Sequence, residues 1–151
     1  MKTYEIEKRF LIEEIPHHIK IQEVTKIEQY YFCQHEAKTI RVRRKNQKFI
    51  MTLKKGKGLI RNEAEFEIDK PTFERIAELC GDAKIVKKRN IVYLDNLKVE
   101  IDVFEGRYEG LIIAEIEFKT KEDAENFMPP VWFGKEITDD MTYTNAYLAL
   151  H

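Results

Sequence analysis

Near its amino terminus the chain carries charged residues at alternate positions, in the segment Glu5-Ile6-Glu7-Lys8-Arg9. With the two-residue period of a β-strand, Glu5, Glu7 and Arg9 lie on one face, and apolar residues share the other face with Lys8. Two carboxylates and a guanidinium in a row are unsuited to an apolar core. Because paired carboxylates bind divalent cations and guanidinium groups bind phosphate, this face predicts a wet, charged cavity.

The same alternation recurs in five later segments, each with charged residues on one face and apolar residues on the other. The charged positions are Arg41 and Arg43; Lys54, which follows Thr52; Arg61, Glu63, Glu65 and Glu67; Glu100 and Asp102; and Glu115, Glu117 and Lys119.

An antiparallel sheet with one solvated face would alternate in the same way, and that is the commoner explanation of charge runs. Here, however, the charges are sorted by sign, since four segments carry acid-x-acid pairs and two carry Arg-x-Arg or Lys. Like charges two residues apart repel one another unless an opposite charge lies between them. The pattern therefore favours a closed container for a metal–polyphosphate complex, inside which both signs converge.

Turn residues divide the chain into roughly eight predicted strands and a few short helices. These elements predict an α+β fold, a closed eight-stranded antiparallel β-barrel with a few short helices packed outside, as one domain over residues 1–151. The predicted strands are 4–12, 26–32, 38–45, 48–55, 59–68, 84–94, 97–104 and 111–119; the predicted helices run from the Asp69 cap to Cys80, from the Thr120 cap to the Pro129-Pro130 pair, and from about Asn145 onward.

Composition bounds the location and the partners of the protein. The 26 basic and 27 acidic residues leave a net charge of −1, which predicts neither a nucleic-acid nor a membrane partner. Early charges argue against a signal peptide, and no apolar run reaches membrane-spanning length. With Cys33 and Cys80 expected as free thiols, we expect a cytoplasmic protein. The apolar outer face of the barrel leaves room for a homodimer contact.

Taken in order, the charged segments resemble the CYTH superfamily, the triphosphate tunnel metalloenzymes. The opening segment is similar to the N-terminal ExExK signature of that family, with Arg9 in the final position. The tail, at Phe133–Thr138 and Tyr143-Thr144-Asn145, resembles the short bacterial members. The other matching segments are Arg41-Val42-Arg43, Thr52-Leu53-Lys54, Arg61-Asn62-Glu63-Ala64-Glu65, Glu100-Ile101-Asp102-Val103-Phe104 and Glu115-Ile116-Glu117-Phe118.

The resemblance implies a tunnel that binds a small-molecule triphosphate with Mg²⁺ or Mn²⁺ and hydrolyses a phosphoanhydride. Inorganic tripolyphosphate is the leading substrate; the alternatives are a class IV adenylyl cyclase, a thiamine or nucleoside triphosphatase, and a non-catalytic phosphate-binding module. The implied metal ligands are Glu5, Glu7, Glu115 and Glu117, with Glu63, Glu65 and Asp102 in support; the implied phosphate-binding residues are Arg9, Arg41, Arg43, Lys54, Arg61 and Lys88; and the catalytic residues are Glu5, Glu7 and Lys88.

The segment Lys87-Lys88-Arg89-Asn90 departs from the Lys-x-Arg of the family and leaves two orientations open. Either Lys88 points inward with Asn90, or Lys87 and Arg89 do. We expect Lys88 to point inward, because Ile85, Ile91 and Tyr93 then share the outer face.

Overall fold

Antiparallel strands close on themselves to form the body of the molecule, as seen in a computed structural model that describes residues 4–151. Neighbouring strands follow the order β5-β4-β3-β2-β6-β7-β8-β1-β9, and pairing of β5 with β1 closes the first eight into a barrel. The predicted fold class is confirmed, with β9 as an unpredicted ninth strand. The strands are β1 Tyr4–Ile12, β2 Glu23–His35, β3 Lys38–Lys45, β4 Lys48–Lys55, β5 Ile60–Ile68, β6 Lys84–Leu94, β7 Leu97–Phe104, β8 Ile112–Phe118 and β9 Phe133–Glu136. Residues 1–3 of the predicted domain lie outside the described residues.

Within residues 4–151, three short α-helices accompany the barrel: α1 Lys70–Cys80, α2 Lys121–Asn126 and α3 Asn145–Leu150. Helix α1 begins after Asp69, whose side chain accepts a hydrogen bond from the Thr72 amide, and ends at Gly81, where φ is 60°. Both ends follow the usual chemistry of helix caps. No helix within residues 4–151 is long and apolar enough to cross a lipid bilayer.

The outward-facing apolar residues of β1, β6, β7 and β8 form the larger hydrophobic core. Ile6, Phe10, Ile101 and Ile116 belong to it, and α2 contributes the fully buried Ala124. On the other side of the barrel, α1 buries Phe73 against Tyr30 and Phe49. The helices α1 and α2 thus cover apolar surface outside the barrel, as predicted.

A second hydrophobic cluster lies at one end of the barrel interior and holds α3. Ala146, Leu148 and Ala149 of this helix pack with inward-facing residues of β2, β6, β7 and β8, namely Tyr31, Ile85, Phe104 and Ile113. Beyond the helix, the Arg107 guanidinium donates to the carbonyl oxygens of Leu148 at 2.7 Å and Ala149 at 2.8 Å. The carboxyl-terminal helix is therefore fixed by packing and by capping of its last carbonyl groups.

Strand β9 returns the tail to β1 through a close backbone approach. A Cβ atom on Gly134 would lie 2.7 Å from the carbonyl oxygen of Leu11, so only glycine fits there without displacement. The chain continues to Ile137, whose amide donates to the Arg9 carbonyl at 2.8 Å. The Arg9 amide in turn donates to the Thr138 hydroxyl at 3.1 Å. These contacts tie the tail to the strand that carries Glu5 and Glu7.

We expect Phe73→Ala to lower the free energy of unfolding by about 3–5 kcal/mol, because it opens a cavity between α1 and the barrel. Phe73 is 1% exposed, whereas Leu79 on the same helix is 61% exposed. Leu79→Ala is therefore the matched control and should change stability by less than about 1 kcal/mol. Urea unfolding followed by circular dichroism measures both, and equal losses would contradict the packing described for α1.

Candidate active site

The barrel encloses a polar cavity of about 170 Å³. Eleven of the thirteen site residues that the sequence predicts line it, contributed by β1, β3, β4, β5 and β8. They are Glu5, Glu7, Arg9, Arg41, Arg43, Lys54, Arg61, Glu63, Glu65, Glu115 and Glu117.

Lys88 is not among them, and its predicted inward orientation is wrong. Lys87 and Arg89 are buried and line the cavity, whereas Lys88 is exposed on the outside of β6. The register explains the error: Arg89 lies opposite Asp102 of β7, and Ile85 shares its inward face. Ile85 was assigned to the outer face because it is apolar, yet it packs inside the barrel against α3.

On one wall, acidic residues of β1 face basic residues of β4 and β5. The closing pair of strands places Glu5 directly opposite Arg61. The Lys54 Nζ atom lies 2.7 Å from Glu5 Oε1, and the Arg61 guanidinium contacts Glu5 at 3.3 Å and also Glu7. Two carboxylates and two cations thus share one small volume.

Negative charge is only partly neutralised between β1 and β8. Burial, together with the nearby Glu115 carboxylate, raises the pKa of Glu7, and Arg61 and Lys54 only partly offset this. Glu115 behaves oppositely: burial alone would raise its pKa, but Arg9 and Arg89 hold that pKa well below its usual range. The Arg9 Nε atom donates to Glu115 at 3.1 Å. An added cation beside Glu7 would therefore favour the charged form of its carboxyl group.

Asp102, predicted as a supporting metal ligand, is the other predicted site residue that does not line the cavity, and it instead binds the cations of Lys87 and Arg89. It is 1% exposed and accepts two hydrogen bonds of 2.8 Å from Arg89, in a bidentate arrangement, with Lys87 Nζ at 2.6 Å. Burial, offset in part by Asp102, lowers the pKa of Lys87 to about 8. These contacts give Asp102 the role of orienting Lys87 and Arg89 toward the cavity.

Next to β4, strand β3 contributes Arg41 and Arg43, which lie close enough to each other and to Arg89 for their charges to repel. Burial, followed by repulsion from Arg41 and Arg89, lowers the pKa of Arg43 to about 10. The nearest carboxylate oxygen, on Glu65, is 4.0 Å away. Among the described residues, the buried Nε atoms of Arg41 and Arg43 have no hydrogen-bond partner. Crowded, under-bonded guanidinium groups of this kind are suited to binding phosphate oxygens.

Sequence analysis missed several residues that line the cavity. Lys45 continues the two-residue period of Arg41 and Arg43 and could have been found from it. Tyr31 gave no such signal, since it is an aromatic residue on β2, and Asn145 entered only through the resemblance of the tail segment and was not given a site role. Asn145 accepts a hydrogen bond of 3.1 Å from Lys87, which brings the tail into contact with the charged site.

The carboxylate set suits a divalent cation by its chemistry. Glu7 lies directly opposite Glu117 across β1 and β8, and Glu115 lies opposite Arg9 on the same pair of strands. Carboxylate oxygens are the hard ligands that Mg²⁺ and Mn²⁺ prefer. Within residues 4–151, no three acidic, histidine or cysteine side chains are already arranged as a metal centre. The fit of a divalent cation to this site therefore rests on the carboxylate oxygens as ligands and on the partly neutralised negative charge around Glu7.

Comparison with known proteins gives one family and closely similar relatives. The model of the CYTH domain matches residues 3–142. The chain is 35% identical over 147 residues to an inorganic triphosphatase of Nitrosomonas europaea, covering 97% of each. It is also 35% identical over 146 residues to an inorganic triphosphatase of Acetivibrio thermocellus, covering 95% of this chain and 92% of the relative. The crystal structure of the inorganic triphosphatase NE1496 superimposes with a TM-score of 0.73 at 32% identity, over 97% of this chain and 95% of that one.

We expect Asp102→Asn to lower the free energy of unfolding by about 3–5 kcal/mol, because it leaves Lys87 and Arg89 buried without their shared carboxylate. Glu100→Gln is the matched control, since Glu100 is partly exposed and contacts Arg89 through one oxygen at 3.2 Å. That change should cost about 1 kcal/mol or less. Urea unfolding of the ligand-free variants measures both, and a neutral Asp102→Asn would contradict the orienting role of Asp102.

Proposed function

The chain belongs to the CYTH family, and from that premise we propose that it is an inorganic triphosphatase, which hydrolyses tripolyphosphate to pyrophosphate and phosphate. The observation that carries the proposal is the cavity in which the buried, under-bonded guanidinium groups of Arg41 and Arg43 face the carboxylates of Glu5 and Glu7. Relatives similar over nearly the whole chain carry the name inorganic triphosphatase.

Phosphate binding is assigned to the basic residues that line the cavity. Arg41 and Arg43 line the cavity with buried Nε atoms that have no hydrogen-bond partner within residues 4–151, and Lys54 lies on the neighbouring strand β4. Lys54 is crowded as well, since burial and repulsion from Arg41 and Arg61 lower its pKa. A polyanion would relieve this repulsion, and Arg9 and Arg61 complete the proposed set.

Hydrolysis of a phosphoanhydride asks mainly for positioning and electrostatic stabilisation. Cations along the cavity would stabilise the negative charge that develops on the leaving pyrophosphate. In place of Lys88, strand β6 contributes the cations of Lys87 and Arg89 to the cavity, and Asp102 orients both. No nucleophilic serine or cysteine is required, because water is the attacking group.

The proposed cofactor is Mg²⁺ or Mn²⁺. Glu5, Glu7, Glu115 and Glu117 would hold it, with Glu63 and Glu65 in support. A bound divalent cation neutralises phosphate charge and lowers the pKa of coordinated water. Glu63 and Glu65 line the cavity on the same face of β5, and a divalent cation would offset the repulsion between their carboxylates.

Cytoplasmic location, the absence of nucleic-acid or membrane partners, and the homodimer contact stay predictions. For the homodimer, the supporting observation is that Phe32, Leu53 and Phe66 are exposed on the outside of β2, β4 and β5.

We expect phosphate release from tripolyphosphate in the presence of Mg²⁺ or Mn²⁺, weaker release from nucleoside triphosphates, and none after chelation with EDTA. A screen of tripolyphosphate, ATP, GTP and thiamine triphosphate against both cations, with cyclic AMP measured in the ATP reactions, tests this. Cyclic AMP as the main product would identify a cyclase. Tight tripolyphosphate binding without turnover under either cation would identify a non-catalytic binding module.

Neutralising the proposed metal ligands should abolish turnover while preserving the fold. Glu5→Gln and Glu117→Gln should each lower kcat about a hundred-fold or more, because each removes a charge that acts on the reacting groups. Glu122→Gln, on the outer helix α2, is the control and should leave kcat unchanged. Circular dichroism verifies folding, and near-wild-type kcat in both cavity variants would refute the assignment.

A further inference from the structure

The Tyr31 hydroxyl lies in the charged cavity yet has no part in the chemistry described so far. Tyr31 is 3% exposed, and its ring packs among Ile85, Phe104 and the residues of α3. Its hydroxyl accepts a hydrogen bond of 2.8 Å from the Gln29 side-chain amide, and Gln29 is fully buried. Both the ring and the hydroxyl are therefore held in one position.

Tyr31 also lies directly opposite Arg41 in the register of β2 and β3. Burial alone would lower the pKa of Arg41, and the interaction of its guanidinium with the Tyr31 side chain raises that pKa. A phenolic oxygen accepts two hydrogen bonds, so it can serve Gln29 and Arg41 together. On the other side of Arg41, Thr52 lies opposite it on β4, and the buried Thr52 hydroxyl has no hydrogen-bond partner among the described residues. Of these two neighbours, Tyr31 is the one whose hydroxyl is itself held in position, and it is therefore placed to orient the guanidinium.

The orientation matters because arginine has a long side chain with about 2 kcal/mol of rotamer entropy. A guanidinium anchored at one edge presents its remaining N–H groups as a preformed fork for phosphate oxygens. Arg41 lines the cavity, and its buried Nε atom has no hydrogen-bond partner within residues 4–151, so the guanidinium is not fully bonded in the ligand-free protein. We propose that Gln29 and Tyr31 act as positioning residues for substrate phosphate, by holding the Arg41 guanidinium in its binding orientation.

This inference rests on the proposed triphosphatase function, and Tyr31→Phe tests it. The ring and its packing against α3 stay, while the hydroxyl is lost. We expect the KM for tripolyphosphate to rise about five- to thirty-fold, with a much smaller change in kcat, since a lost binding contact weakens affinity uniformly. Calorimetric titration of tripolyphosphate without added metal should show a matching loss of affinity. Tyr30→Phe is the matched control, because that hydroxyl donates to Glu28 at 2.8 Å away from Arg41.

A second variant separates positioning from simple loss of stability. Tyr31→Phe leaves the Gln29 amide buried without its acceptor, whereas Tyr31→Phe combined with Gln29→Leu removes both polar groups and should recover the melting temperature. Under the proposal, the KM of the double variant stays raised after stability has recovered. Recovery of KM together with the melting temperature would show a structural role and overturn the proposal.

The triphosphatase function and the positioning role of Tyr31 can be refuted separately. If the wild-type protein neither binds nor hydrolyses tripolyphosphate, the proposed function falls and the role of Tyr31 falls with it. If the wild-type protein does both, and Tyr31→Phe has the same KM as Tyr30→Phe, only the positioning role is overturned.

Discussion

Mutual compensation of buried charges is the interaction on which the interior of this barrel depends. An isolated ion moved from water into protein costs several kcal/mol, so each charge needs an opposite charge or a ligand beside it. Arg89 contributes most clearly, because one guanidinium reaches Asp102, Glu100 and Glu115 on two neighbouring strands. Elsewhere in the cavity, the cations of Lys54 and Arg61 together compensate the charge of the Glu5 carboxylate. The groups that are only partly compensated, Arg41 and Arg43 on β3 and Glu7 on β1, lie where a polyanion and its cation would be stabilised.

Closure of the sheet produces this arrangement, and β1 has the central place in it. The strand pairs with β8 along one edge, which sets Glu7 opposite Glu117, and with β5 along the other, which sets Glu5 opposite Arg61. In an open sheet, the residues of β3 and β8 would lie on distant strands. The barrel instead directs both rows toward one cavity. The sorting of charges by strand is thus a consequence of which wall each strand forms.

The strict alternation of charged and apolar residues made most of this site predictable. The prediction failed on β6, where the inward face changes from polar to apolar. Along β1, every charged residue of the predicted face is inside, because no apolar residue interrupts the row between Glu5 and Arg9. On β6 the inward face continues from Arg89 to Ile85, which contacts α3, so apolar character no longer marks the outside. That contact is between distant parts of the chain and left no trace in the local pattern. Strand β9 was missed for a similar reason, since four residues with an internal glycine pair only because β1 is already in place.

The backbone approach at Gly134 has a consequence for how sequence variation in this protein should be read. A side chain there would displace β9 from Leu11 and, with it, Ile137 and Thr138, which are bonded to the backbone of Arg9. The tail segment that borders the cavity follows immediately after these residues. Selection experiments that score turnover alone would therefore rank this residue among those that touch the reacting groups. Its influence would be transmitted entirely through chain geometry, from a position that has no functional group.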